Sequence, residues 1–210
     1  MEKWQNRYTV RKFDPSVTVA EEHITHLKNM FEHVPTQQSI NDNLWITLTP
    51  EHHELKVWLL ENVFNHNNET GKIEYMIQII TAPVVFLSNK FWPDIQLSAV
   101  TDAQRNIGLH AGILMEESLS LGYDVATIGC TQKYWDNNDI LQTEYNTVIG
   151  NIFREQIVNH TKRTEYILEP SLAVCIGKGE PLSLQEEWDE YMGYTYVPFQ
   201  KKQKNWWGII

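Results

Sequence analysis

Cysteine is nearly absent from this chain. Its 210 residues hold two, Cys130 and Cys175, with no Cys-x-x-Cys pair, which excludes a disulfide framework and leaves two buried, inert thiols as the expectation. Long apolar runs are missing too. The longest, such as Ile79-Ile80 and Pro83 to Leu87, are far too short to cross a bilayer, so no membrane span is expected. The opening Met-Glu-Lys-Trp has no apolar signal core, and the reading is a soluble, cytoplasmic protein. Positive charge is scarce: 17 Lys and Arg stand against 27 Asp and Glu, a net charge of -10. That argues against nucleic acid as a partner, because phosphate-backbone binding needs a basic face. There is no Gly-x-Gly-x-x-Gly fingerprint, no Ser/His/Asp pattern and no internal repeat, so a Rossmann site, nucleophilic catalysis and a solenoid all lose support.

Against these absences stands a hydrophobic content of 42%, enough to bury a core, and a single domain over residues 1–210 is expected. The acidity is dispersed, in Glu21-Glu22, Glu116-Glu117 and Glu186-Glu187, and reads as solvated helix faces. Eight histidines include His23-x-x-His26 and the adjacent His52-His53. With no second ligand cluster nearby, no metal site is expected.

Ile24, Leu27, Met30 and Phe31 recur at helical spacing and predict a helix over 19–33, ended by Val34-Pro35. Leu44 to Leu48 alternates as a strand does. Thr49 is a suitable N-cap and Pro50 a suitable first residue for a helix running to Phe64. Residues 65–72 read as a loop. Pro83 to Leu87 suits a strand buried on both faces, and Phe91 to Val100 reads as a loop. Thr101-Asp102 can cap a helix over 103–121 with the stripe Ile107, Ala111, Leu114-Met115, Ser118 and Leu121. Gly108 and Gly112 on it would allow a second backbone to approach, at a subunit interface or within the core. Gly122 is the expected left-handed cap. Ala126 to Cys130 reads as a short apolar connection, and Leu172 to Gly177 as a buried strand ended by the turn 177–181. The tail 191–210, with Trp206-Trp207, is too aromatic to be left in solvent and is expected to pack on a partner subunit. Strands among longer helices give an α+β or mixed α/β domain with one covered sheet.

Chemistry is concentrated first in Arg7-Tyr8-Thr9-Val10-Arg11. Two arginines one helical turn apart with a hydroxyl between them suit a phosphate group. Further on come Ser39-Ile40-Asn41-Asp42-Asn43-Leu44-Trp45, the Ala82 to Leu87 strand, a long helix ending in Leu121-Gly122, Gly129, and the late Ala173-Val174-Cys175-Ile176-Gly177 strand. In this order the segments resemble the FMN-dependent nitroreductase family over nearly the whole chain.

The resemblance implies an α+β fold with a central, mostly antiparallel sheet surrounded by helices. It also implies a homodimer whose C-terminal extensions are exchanged and whose FMN molecules lie at the interface. By position, Arg7, Tyr8, Thr9 and Arg11 would hold the FMN phosphate and ribityl chain. Gln38, Ser39, Asn41 and Asn43 would reach the flavin of the neighbouring subunit, with Gln37 and Gln38 in places usually held by Pro and Ser, and Asn43 in that of Gln. Ile128 and Gly129 would offer backbone N–H groups to flavin N5 or O4. Among Lys201, Lys202 and Lys204, the resemblance implicates Lys202 and Lys204 at the phosphate. The family's Asn and Lys near the pyrimidine end have no clear match over Glu74 to Gln78, where Lys72 and Gln78 are the nearest candidates. Phe91, Trp92 and Tyr134 are candidate pocket walls. No side chain is expected to act as a catalytic nucleophile. The implied activity is hydride transfer from NADH or NADPH, through flavin N5, to a small-molecule acceptor such as a nitroaromatic or quinone. The alternatives are a flavin-consuming or dehalogenating relative, and a non-catalytic FMN-binding dimer.

Overall fold

The fold is seen in a computed structural model, which describes residues 10–31, 33–34, 43–64, 77–92, 97–130, 139–162, 164 and 166–181. The elements, in chain order, are α1 (Glu21–Met30), β1 (Asn43–Leu48), α2 (His53–Leu59), α3 (Gln78–Thr81), β2 (Val84–Trp92), α4 (Leu97–Ser120), β3 (Asp124–Gly129), α5 (Asp139–Thr161) and β4 (Ile167–Gly177). A 3₁₀ turn, Pro50–His52, leads into α2, and a π-turn over Leu60–Phe64 extends it.

The four strands form one fully antiparallel sheet in the order β1-β2-β4-β3. Helices cover both faces. Leu44, Ile46, Leu48, Val85, Leu87, Ala126, Ile128, Ala173 and Cys175 point to one side and pack with Leu55 and Leu59 of α2, Ile79 of α3, and Tyr145, Ile149 and Ile157 of α5. Trp45, Val84, Phe86, Val125, Val174 and Ile176 point to the other and pack with Ile24 and Leu27 of α1 and Ile107, Ala111 and Leu114 of α4. Successive strand residues feed two cores, so the central strands read as continuous apolar runs rather than alternating ones. The α+β class and the covered antiparallel sheet expected from the sequence are present.

Several boundaries differ from the sequence reading. β2 continues through Ser88, Asn89 and Lys90 to Trp92, so Phe91 and Trp92 lie in a strand, not a loop. The apolar signal stops at Leu87, but the polar residues beyond it find partners inside the sheet layer. The long helix begins at Leu97, which puts Thr101-Asp102 inside it rather than at its cap. Ala126 to Gly129 belongs to strand β3 instead of a connection. β4 begins at Ile167, before the apolar run at Leu172. Beyond Gly177 the chain stays extended: Phe13 bridges Gly179, with Asp14 N–H donating to Lys178 O (2.7 Å) and Glu180 N–H to Lys12 O (3.0 Å).

The end of α4 matches expectation. Gly122 has φ +86°, and the N–H groups of Gly122 and Tyr123 return to Leu119 O (3.1 Å) and Ser118 O (2.9 Å), the left-handed closure that glycine makes cheaply. Tyr123 then serves α1, which has no side-chain N-cap. Its hydroxyl accepts from Ala20 N–H (3.2 Å) and meets His23 Nδ1 (2.9 Å). His26 pairs with Glu117 of α4 at 2.8 Å. The two histidines of the His-x-x-His spacing thus join α1 to the end of α4.

Candidate functional site

The phosphate-binding segment expected from the sequence enters the described structure at Val10 and Arg11; Arg7, Tyr8 and Thr9 lie outside it. Three contacts fix its end. Gln78 of α3, 4% exposed, donates from Nε2 to Val10 O (3.2 Å). Thr81 Oγ1 accepts from Phe13 N–H (3.2 Å). Lys12 pairs with Glu180 at 2.8 Å. Arg11, half-buried, is therefore carried on backbone that is tied to both α3 and the extension of β4. Gln78, the sequence candidate for the flavin's pyrimidine end, holds this segment through its Nε2. Its Oε1 is buried and has no hydrogen-bond partner among the described residues.

The second part is the β3 edge. Cys130 N–H donates to Ser171 O (2.9 Å), and Gly129 sits opposite Leu172 and Ile128 opposite Ala173. Hydrogen-bonded and non-hydrogen-bonded pairs alternate along an antiparallel ladder. Ile128 therefore turns its N–H and C=O toward β4, while Thr127 and Gly129 turn theirs away from the sheet. Of the two expected donors, Ile128 is committed to the ladder and its side chain to the core. Gly129 is exposed, and a Cβ built on it would meet nothing within 4 Å among the described residues. No described residue stands between its outward N–H and a flat ring approaching from that side.

The third part lies at the same end of the sheet. Gly129, Leu172, Ser88 and Trp45 form one row across the four strands, and Asn43, Lys90 and Glu169 form a polar row just beyond it. Lys90 and Glu169, 1% and 4% exposed, make a 2.6 Å ion pair. Asn43 is buried as well and donates from Nδ2 to Ala103 O of α4 (3.2 Å). Its Nδ2 is thereby held against α4. Asn43 Oδ1 and Trp45 Nε1 are buried without a hydrogen-bond partner among the described residues. The register shifts between Ser88 and Asn89, where Ser88 Oγ both accepts from Leu172 N–H (2.9 Å) and donates to its C=O (3.0 Å). On the opposite face the Tyr145 hydroxyl donates to Asn89 Oδ1, and burial raises that phenol well above its ordinary pKa. Sequence reasoning missed Lys90, Glu169, Asn89 and Tyr145. The one available signal was the Asn-Lys pair that directly follows an apolar strand.

Gln38, Ser39, Asn41, Lys202, Lys204, Lys72, Tyr134 and the tail 191–210 lie outside the described residues, and so do the contacts expected of them. Phe91 is half-buried against the α2/α5 core. Among the described residues no cluster of three His, Cys, Asp or Glu could hold a metal ion, and no helix is long and apolar enough to cross a membrane.

Solved structures share this architecture. Nitroreductase A from Vibrio parahaemolyticus superposes with a TM-score of 0.59 at 12% identity, over 86% of this chain and 67% of that one. A nitroreductase family protein from Clostridium novyi gives 0.58 at 12% identity, over 93% and 95%. An FMN-dependent nitroreductase from Clostridium difficile gives 0.55 at 13% identity, over 85% and 87%. The chain spans about two thirds of the Vibrio protein and nearly all of the Clostridium novyi one. No family model and no curated protein matches the sequence. The chain has the nitroreductase fold.

Proposed function

We propose that this chain is an FMN-dependent oxidoreductase that works as a homodimer, oxidising NADH or NADPH and reducing a small electrophile such as a nitroaromatic or quinone. The observation that carries the reading is the end of β3 within a nitroreductase fold: an outward backbone N–H at Gly129, uncovered by any described residue, on the strand where the sequence resemblance expects the flavin ring. The residues fit such a group. A glycine with no neighbour at its Cβ position admits a planar ring at close range, and Arg11 stands on anchored backbone as a guanidinium suited to a phosphate.

FMN, when bound, would supply two-electron redox chemistry. The chain's part is to bind and to tune. The Gly129 N–H, fixed by the ladder on its other side, is a preorganised donor for a heteroatom that gains electron density. Arg7, Thr9 and Arg11 would hold the FMN phosphate together with Lys202 and Lys204, and Ser39 and Asn41 of the second subunit would contact the flavin ring. A fixed fold around a flat cofactor excludes water without a side-chain acid or nucleophile.

The test is an absorption spectrum of the purified full chain with FMN, before and after NADH or NADPH under nitrogen. Flavin bands that co-purify or bind stoichiometrically and then bleach are the expected result. Protein that takes up no FMN would overturn the reading. Bound flavin that neither nicotinamide reduces would overturn the reductant.

A further inference from the structure

β1 passes into α2 through Thr49 and the 3₁₀ turn Pro50–His52. The turn is closed by a capping box in which the Thr49 side chain serves the backbone of His52 and the His52 side chain serves the backbone of Thr49. In such a box the third residue is ordinarily Glu or Gln, whose oxygen accepts the N-cap N–H at any neutral pH. Here the acceptor is an imidazole nitrogen, which can accept only while it carries no proton.

Four atoms meet at this point. His52 Nδ1 is 3.2 Å from Thr49 N and 3.0 Å from Thr49 Oγ1. Thr49 Oγ1 is 3.0 Å from Glu51 Oε1, to which it donates, and His52 Nδ1 is 3.8 Å from the same carboxylate oxygen. With a lone pair on Nδ1 the ring accepts from Thr49 N–H. With a proton there, it donates to Thr49 Oγ1, whose own hydrogen stays on Glu51, and Thr49 N–H has no acceptor. The two networks use the same atoms and differ by one proton.

We propose that the Thr49–His52 cap is a proton-operated joint between β1 and α2, closed on the Thr49 N–H when the ring is neutral and opened when the ring is protonated. The groups around it act in both directions. Glu51 favours the charged ring, whereas Lys56 of α2 and Lys28 of α1 oppose it. Burial is the largest influence and lowers the ring's pKa from its ordinary value, which makes the closed form the neutral-pH form. α5 contributes the uncharged ring of Phe153, stacked on His52 at 5.3 Å, and the neighbouring Arg154 and Glu155 are exposed, as are His53 and Glu54.

The joint has mechanical reach. Phe153 is the residue at which α5 leaves helical geometry (φ -116°, ψ 20°). Three residues on, Gln156 Nε2 donates to Trp45 O of β1 (2.9 Å). The cap, the α5 kink and the β1 backbone are therefore linked, and β1 begins at Asn43 in the polar row.

The experiment follows the His52 ring titration and the protection factor of the Thr49 amide in isotopically labelled full chain from pH 5 to 8, in the wild type and in His52→Gln. Glutamine keeps the acceptor and cannot take the proton. Wild-type Thr49 protection should fall about fivefold as His52 protonates, the size of one capping interaction, while Ile46 in β1 keeps its protection. His52→Gln should show no such fall. An unchanged Thr49 amide through the His52 titration, or an equal fall in His52→Gln, overturns the proposal. Glu51→Gln is the second variant. Losing the carboxylate that favours the charged ring should move the Thr49 transition to lower pH, and an unmoved transition counts against the joint.

Discussion

Lys56 is the least expected residue of the interior. It is 2% exposed, and its ammonium donates to two backbone carbonyls, Ala82 O at 2.8 Å and Pro83 O at 3.3 Å. Burial lowers its pKa to about 8, and burial raises that of the Cys175 thiol to about 12. The signs are opposite. Between pH 8 and the ordinary lysine value the unfolded chain holds a proton that folded Lys56 has lost, so stability rises with pH; the penalty, about 3 kcal/mol, is fully present below pH 8. Cys175 keeps a proton that the unfolded thiol gives up, so above the ordinary thiol value stability falls as pH rises. Lys56→Met takes the lysine out of the titration and, because Lys56 draws the thiol's pKa down, leaves Cys175 no less protonated than in the wild type. Urea midpoints from pH 7 to 10 should show the wild type gaining on the variant across this window, and parallel curves would remove the argument. Two glycines separate packing from site. A Cβ on Gly177 would come within 2.6 Å of Pro83 Cδ and 2.9 Å of Phe13 Cδ1. Gly177→Ala should thus cost about 1–3 kcal/mol in chemical denaturation. Gly129→Ala meets nothing and should leave stability within about 0.5 kcal/mol. If the flavin lies against Gly129, that variant should bind FMN about tenfold more weakly by fluorescence titration; unchanged affinity would move the ring elsewhere.

At the scale of elements, the sequence was legible where a segment serves one environment. α1 and α4 show their buried stripes because each has one face in a core, and Leu121-Gly122 shows its stop because a positive φ calls for glycine. β2 was legible only as far as Leu87, because Ser88, Asn89 and Lys90 beyond it are buried through polar partners that come from β4 and from α5. α5 itself gave no sequence expectation. Its core residues Leu141, Tyr145, Ile149 and Ile157 are interspersed with exposed Ile140 and Ile152, and its geometry breaks at Phe153. The site was legible in the same uneven way. Gly129 stood out by position, but which N–H faces outward depends on pairing with Ser171 and Leu172, more than 40 residues away. The Lys90–Glu169 pair was invisible for that reason too. Its energetics can be tested as one element contact. Removing one partner takes the 2.6 Å counter-ion from a buried charge, so Lys90→Met or Glu169→Gln alone should cost about 3–5 kcal/mol. The double variant Lys90→Met/Glu169→Leu replaces the pair with apolar volume and should recover most of that loss. Additive single and double losses in a denaturation cycle would show that the pair is not a coupled unit.

At the scale of the whole molecule, two surfaces have no cover among the described residues. One is the outward face of α4, where Gln104, Gly108 and Gly112 lie one turn apart and Leu109 is 43% exposed. The glycines face away from the two cores, and among the described residues nothing lies within 4 Å of their Cβ positions, so no described element packs against them. The other is the β3 edge, whose outward backbone groups at Thr127 and Gly129 have no neighbouring strand among the described residues; unpaired edges invite pairing. Both fit the proposed homodimer, in which the flavin's surroundings are completed by a second copy and the tail 191–210 covers its partner. Gly112→Arg tests this directly. Among the described residues nothing meets the new side chain at its base, and arginine is about 1 kcal/mol better than glycine in a helix, so the thermal midpoint should not fall for reasons internal to the described fold. At a close interface the same side chain is a wedge. Sedimentation should find wild type as a dimer and the variant as a monomer, with FMN affinity falling in parallel. A variant that stays dimeric would take α4 out of the interface. A monomer that binds FMN as well as the wild type does would mean that one chain holds the whole site, and the contributions assigned to Ser39 and Asn41 across the interface would have to be withdrawn.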